Sequence, residues 1–150
     1  MSSLYGREIH AIDHKGRVSI PATMRKSGGK KPLDAFQVLK GLDGCVALYP
    51  PDEFAHVEER LRRLPLWDRR SRMFSRMYLL DAQKVSVDAQ GRIMLSPALI
   101  EWAGLKKDAM VLGQGNRIEI WDPKRFDGHL ATSPDSLEQL MAEVFRDERS

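Results

Sequence analysis

The stretch Ile12-Asp13-His14-Lys15-Gly16-Arg17-Val18-Ser19-Ile20-Pro21 decides the fold, because it returns as Val87-Asp88-Ala89-Gln90-Gly91-Arg92-Ile93-Met94-Leu95-Ser96-Pro97. Each copy is an apolar residue, Asp-x-x-Gly-Arg, alternating apolar residues and a proline. An alternating segment enters each turn (His10, Ile12; Val85, Val87) and another leaves it (Val18, Ile20; Ile93, Leu95). That is the period of a half-buried strand, so each copy predicts a hairpin. Gly16 and Gly91 suit the left-handed backbone of such a turn. Asp13 and Asp88 can accept hydrogen bonds from amides two or three residues on, which fixes the loop as a scaffold.

Working outward, each turn leads to a short helix, with Pro21 and Pro97 at its first position and Ser96 as an N-cap. Gly28 and Gly104 are the expected stops. Strands Phe36–Lys40 and Cys45–Tyr49 follow in the first half, and Ala109–Gly113 and Arg117–Trp121 in the second. Their turns are Gly41-Leu42-Asp43-Gly44 and Gln114-Gly115-Asn116. A second echo, Leu48-Tyr49-Pro50-Pro51-Asp52-Glu53-Phe54 against Ile120-Trp121-Asp122-Pro123-Lys124-Arg125-Phe126, opens a further helix in each half. Phe54, Val57, Leu61 and Leu64 form one apolar stripe. Pro65 ends that helix, and another is expected from Leu66 to Leu80. The tail starts at Ser133-Pro134-Asp135 and carries Leu137, Leu140, Met141, Val144 and Phe145 on one side.

The expected organisation is thus 1–65, a first repeat with its helix; 66–80, a connecting helix; 81–131, the second repeat; and 132–150, a C-terminal helix. A half of this size has too little interior to stand alone, so the two are expected to share a core. Exchange of hairpins between them would make one pseudo-symmetric barrel.

With 150 residues, 42% hydrophobic and 30% charged, the chain has the composition of a globular protein rather than a disordered one. No apolar run reaches the length of a membrane span, and the N-terminus lacks the apolar core of a signal peptide, which makes the cytoplasm the default. The lone Cys45, in an apolar run, is read as a small core residue. No histidine or cysteine cluster has metal-ligand spacing, no phosphate-cradling glycine loop occurs, and no nucleophile elbow stands out. The expectation is a protein without enzymatic activity, cofactor or metal.

Charge is more informative. The net +3 hides +5 over residues 1–31, +6 over 60–76 and −3 over 122–150. Such segregation favours an anionic partner, although solvated helix faces give the same count. A hairpin tip is narrow enough for a DNA major groove, where Arg pairs bidentately with guanine, Lys adds a bond, and Gln90 can pair with adenine. His14 sits at the same tip. Arg25, Lys26, Lys30 and Lys31 are candidate phosphate ligands. The alternative for Arg17 and Arg92 is an ion pair with Asp13 and Asp88 across their own turns, and both can hold together. The second turn, with Ala89-Gln90 in place of His14-Lys15, has lost a charge and is expected to contribute less.

At these residues the chain resembles the MraZ family of bacterial transcriptional regulators. The likeness rests on both Asp-x-x-Gly-Arg segments, on Val111-Leu112-Gly113-Gln114 and on Ile118-Glu119-Ile120-Trp121-Asp122, and it covers about residues 5–130. It implies an α+β fold: a swapped-hairpin barrel like that of the AbrB regulators, built from two repeats in one chain with flanking helices. It implies a ring of subunits on the nucleoid that binds spaced direct repeats of double-stranded DNA in the promoter of the division and cell-wall gene cluster, usually as a repressor. By motif match Lys15 and Arg17 are the base-reading pair, Arg92 is a contact from the second turn, and Asp13 and Asp88 are scaffold. Gln90 departs from the basic residue of the first copy. A ring would use exposed Trp67, Met73, Phe74 and Met77 as subunit contacts, although an intrachain core accounts for them equally. Two other readings remain open. One is a ring-forming interaction module whose partner is a protein; the other is an AbrB-like antitoxin, disfavoured because those usually carry one repeat and a separate toxin-binding tail.

Overall fold

The structure is a computed structural model that describes residues 4–26 and 31–146. The stop expected at Gly28 and the candidate ligand Lys30 lie outside the described residues. The first half supplies β1 (Arg7–Ala11), β2 (Arg17–Ser19), α1 (Ala22–Arg25), β3 (Ala35–Lys40), β4 (Val46–Tyr49) and α2 (Pro51–Arg62), followed by α3 (Arg69–Leu79). The second half repeats that order with β5 (Gln83–Ser86), β6 (Arg92–Met94), α4 (Pro97–Ala103), β7 (Asp108–Gly113), β8 (Ile118–Trp121), α5 (Pro123–Ala131) and α6 (Leu137–Val144).

Six strands form one antiparallel sheet in the order β1-β7-β8-β4-β3-β5, which reads the same when the halves are exchanged. At its centre β4 meets β8, with Val46 opposite Ile120 and Leu48 opposite Ile118. Towards the edges each half lends a strand to the other: β1 pairs with β7, and β5 with β3. The remaining strands β2 and β6 pair only with each other, Val18 opposite Ile93. Val18, Ile20, Phe36, Val38, Val46 and Leu48 therefore share one buried cluster with Ile93, Leu95, Val111, Ile118 and Ile120. The expectation of a common core holds, since neither half closes this cluster by itself.

Closure differs from expectation. Among the described residues the six-stranded ladder ends at β1 and β5, and the β2–β6 ribbon is a separate sheet, so no continuous barrel forms. The physical reason lies in the turns. Among the described residues, backbone bonds between the two sides of the first hairpin are confined to Asp13 N–H to the Arg17 carbonyl (3.2 Å) and Gly16 N–H to the Asp13 carbonyl (3.0 Å). The aspartate side chain, not a ladder, ties the hairpin together.

Local signals fix most helix ends and misplace three. Pro97 opens α4 with Ser96 accepting from Leu99 N–H at 3.3 Å, and Asp122 caps α5 through Arg125 N–H at 3.0 Å. In the first copy no capping side chain precedes the helix, and Pro21 is itself the cap residue of α1. The connecting helix begins at Arg69 rather than Leu66, because the Asp68 carboxylate accepts from both Ser71 N–H (3.0 Å) and Ser71 Oγ–H (2.6 Å). The tail helix is capped by Ser136, not Ser133, in a reciprocal pair with Gln139. Ser133 instead closes a local turn with Asp135. Cys45 is fully buried, and loss of solvation pushes its thiol up to about 12. Among the described residues no helix is long and apolar enough to cross a membrane.

Candidate nucleic-acid interface

Each turn is built by one carboxylate. Asp13 Oδ1 accepts from Lys15 N–H and Arg17 N–H, both at 2.9 Å, and Oδ2 accepts from Arg17 Nε–H at 2.5 Å. Asp88 repeats this with Gln90 N–H and Arg92 N–H at 2.9 Å and Arg92 Nε–H at 3.0 Å. The first amide lies two residues on, as the sequence suggests, and the second lies four residues on, one further than expected. The Arg17 amide, followed by its guanidinium and the Lys15 amide, outweighs desolvation and lowers the Asp13 carboxyl from 3.8 to about 2. Asp88 is lowered for the same reasons, chiefly by the Arg92 amide.

Gly16 and Gly91 take the expected left-handed backbone, φ +82° and +80°. A Cβ on Gly16 would lie 2.9 Å from the Leu95 carbonyl oxygen and 3.0 Å from Ile100 Cδ1, so the first turn rests directly on the segment between β6 and α4 of the other half and on α4 itself. On Gly91 it would meet the Arg25 guanidinium at 2.9 Å. The two turns are joined by backbone bonds at 2.9 Å, Leu95 N–H to the Gly16 carbonyl and Ile20 N–H to the Gly91 carbonyl. Arg92 Nη1 also lies 3.8 Å from Asp13 Oδ2, so one guanidinium spans both carboxylates. The repeated motif thus becomes two turns fixed side by side.

His14, Lys15 and Gln90 are exposed at the tips, whereas Arg17 and Arg92 are half-buried at their bases. The intrachain ion-pair alternative is therefore real, and it leaves the outer edge of Arg17 available. Arg17 uses Nε on Asp13, and its terminal nitrogens make no hydrogen bond among the described residues. A guanidinium held this way is oriented before any partner arrives, which lowers the cost of ordering it on binding.

Of the candidate phosphate ligands, Lys26 and Lys31 are exposed. Arg25 is not free. Its Nε–H donates to the Ile20 carbonyl at 2.9 Å and its guanidinium packs under Gly91, so it supports the second turn. Lys106 is a basic residue that sequence reasoning missed. It shares with His14 and Lys15 a groove of about 980 Å³ floored by Val85, Leu95, Ile100 and Leu105. The pair Lys106-Lys107 after Gly104 echoes Lys30-Lys31, and that echo was the available signal. Among the described residues no group of three or more His, Cys, Asp or Glu is placed to hold a metal ion.

Comparison with known proteins agrees with the internal repeat. The family model described as "MraZ protein, putative antitoxin-like" matches the chain twice, over residues 4–77 and 78–147. The chain is 39% identical to the transcriptional regulator MraZ of Natranaerobius thermophilus, over 93% of this chain and 94% of that one. It is 41% identical to the protein of the same name from Desulforamulus reducens, over 93% and 95%. For that of Heliobacterium modesticaldum the identity is 40%, over 90% and 92%.

Proposed function

The chain belongs to the MraZ family, and from that premise we propose that it is a sequence-specific DNA-binding transcriptional regulator without catalytic activity or cofactor. It acts at the nucleoid in the cytoplasm as a repressor of the division and cell-wall gene cluster, binding spaced direct repeats as a ring of subunits. Lys15 and Arg17 read bases from the first turn. Arg92, with Gln90, makes the contact of the second turn, and His14 lies at the same surface. Asp13, Gly16, Asp88 and Gly91 hold the tips in shape. The repeats at 1–65 and 81–131 carry the turns, while the helices α3 and α6 serve assembly. The strand exchange between halves is read as the swapped-hairpin arrangement of AbrB-like proteins.

The observation that carries this reading is the rigid pairing of the two turns, with Arg92 reaching the carboxylates of both. A two-pronged tip entering a groove needs prongs whose separation does not change on binding. Several tips on one ring would engage successive repeats, so that each later contact is intramolecular.

One observation favours the protein-interaction alternative: α3 and α6 leave apolar residues exposed, Met73 and Met77 on the first and Leu137 and Met141 on the second. The deciding experiment titrates the protein with the duplex upstream of its own gene and with a scrambled duplex, at two salt concentrations. Tight, salt-sensitive preference for the upstream duplex supports the regulator. Equal binding to both reduces the turns to a nonspecific basic surface, and no binding favours a protein partner.

A further inference from the structure

In the two halves α3 and α6 occupy equivalent places, each following the helix (α2 or α5) that leaves the β4 or β8 strand. Both are well capped, by Asp68 and by the Ser136–Gln139 pair, and neither has a buried residue. Met77 of α3 is 60% exposed and Trp67 before it 86%; Leu137 and Met141 of α6 are 75% and 54% exposed. The α6 stripe Leu137, Leu140, Met141, Val144 has the i, i+3, i+4, i+7 spacing of a face made to be covered. An eight-residue helix is marginal in water unless such a face packs.

Their charges are opposite. α3 carries Arg69, Arg70, Arg72 and Arg76 and no acid; α6 carries Glu138 and Glu143 and no base. Two α3 helices facing each other would set arginines against arginines, and two α6 helices carboxylates against carboxylates. Only the mixed pairing joins the apolar stripes and complements the charges. We propose that α6 of one chain docks on α3 of a second copy, a head-to-tail contact that leaves one free α3 and one free α6 at the ends of every short assembly. Such a heterologous contact propagates until it closes into a ring, whereas a self-complementary one stops at a dimer. This inference rests on the ring reading and names the surface that would build it.

The test uses two full-length variants, Met77→Glu in α3 and Met141→Glu in α6, with masses measured by native mass spectrometry. Both positions are exposed, and unchanged far-ultraviolet circular dichroism checks the fold. The expected result is a multimer for the parent chain, a single chain for each variant alone, and a two-chain species when the variants are mixed. Each variant keeps one intact face, so the mixture makes one contact and no more. A second pair of variants, Arg70→Glu with Arg76→Glu and Glu138→Arg with Glu143→Arg, should each break assembly and restore it when combined in one chain. Variants that assemble like the parent, or a mixture that stays single-chain, overturn the α3–α6 contact while leaving a ring built otherwise. A parent chain that is itself monomeric overturns the ring reading as well.

Discussion

Replacing Gly16 by alanine tests whether the first turn is locked to the other half. An L-residue at φ +82° costs about 1–2 kcal/mol in left-handed strain. The new methyl would lie 2.9 Å from the Leu95 carbonyl oxygen, which is backbone and cannot swing aside. Relief requires the backbone at Leu95, just after β6, to move off the turn, weakening the bond from Leu95 N–H to the Gly16 carbonyl, about 1 kcal/mol. The expected loss is about 3 kcal/mol, or roughly 6–12 °C in Tm for a chain of this length. Gly91→Ala meets the same strain, but its methyl meets the end of the Arg25 side chain, which can swing out and trade its part-buried bond to Ile20 for water at a cost of about 0.5 kcal/mol, for a loss of about 2 kcal/mol. Gly128→Ala, within α5 and with no atom near the added methyl, should gain about 0.5–1 kcal/mol from helix propensity. Urea denaturation of the three variants gives the order. Gly16→Ala as stable as Gly128→Ala, or clearly more stable than Gly91→Ala, refutes the packing of the turn against Leu95 and α4.

Other expectations follow from the same contacts. The Asp13 carboxyl, held down to about 2 chiefly by the Arg17 amide, contributes stability at neutral pH that is lost as pH falls from about 4 through 2. A carbon-13 carboxyl titration should show its midpoint well below that of an exposed aspartate; a midpoint near 4 contradicts the turn geometry. For Cys45 the sign is opposite. Its thiol ionises at 9.0 in the open chain and at about 12 in the fold, so stability should decline as pH rises above 9 and decline less in Cys45→Ala. In the proposed DNA complex, Gln90→Lys restores to the second turn the cation of the first. It should steepen the slope of log affinity against log salt by about 0.9 for each chain engaged, as read by titration at several salt concentrations.

How far the sequence carried the reading depends on the range of each interaction. The two turns were legible because Asp, Gly and Arg act within five residues of one another, and the aspartate's amide bonds and the positive φ appear at both. Ser96 and Asp122 were legible as caps for the same reason. The misplaced helix starts were local competitions between neighbouring candidates. Asp68 outcompetes Leu66 because it finds two donors on Ser71, and Ser136 outcompetes Ser133 because Gln139 reciprocates. What the sequence concealed is long-range. The approach of Arg92 to Asp13 and the place of Arg25 under Gly91 depend on the β2–β6 ribbon that brings the halves together. The charge of Arg25 is visible in the sequence, and its packing under Gly91 is not. The end of the ladder at β1 and β5 among the described residues belongs to the same class, since no periodicity states which strands stop pairing.

The central claim is that Arg17, held by Asp13 at the base of the first turn, reads DNA. Arg17→Ala tests it most directly, because the Asp13 bonds to the amides of residues 15 and 17 survive the substitution and keep the loop in shape. Binding to the upstream duplex and to a scrambled duplex would be measured beside the mass and melting temperature of the variant. The account predicts loss of the preference for the upstream duplex, with assembly and fold retained. A variant that assembles, melts normally and still binds the upstream duplex with parental affinity would contradict it.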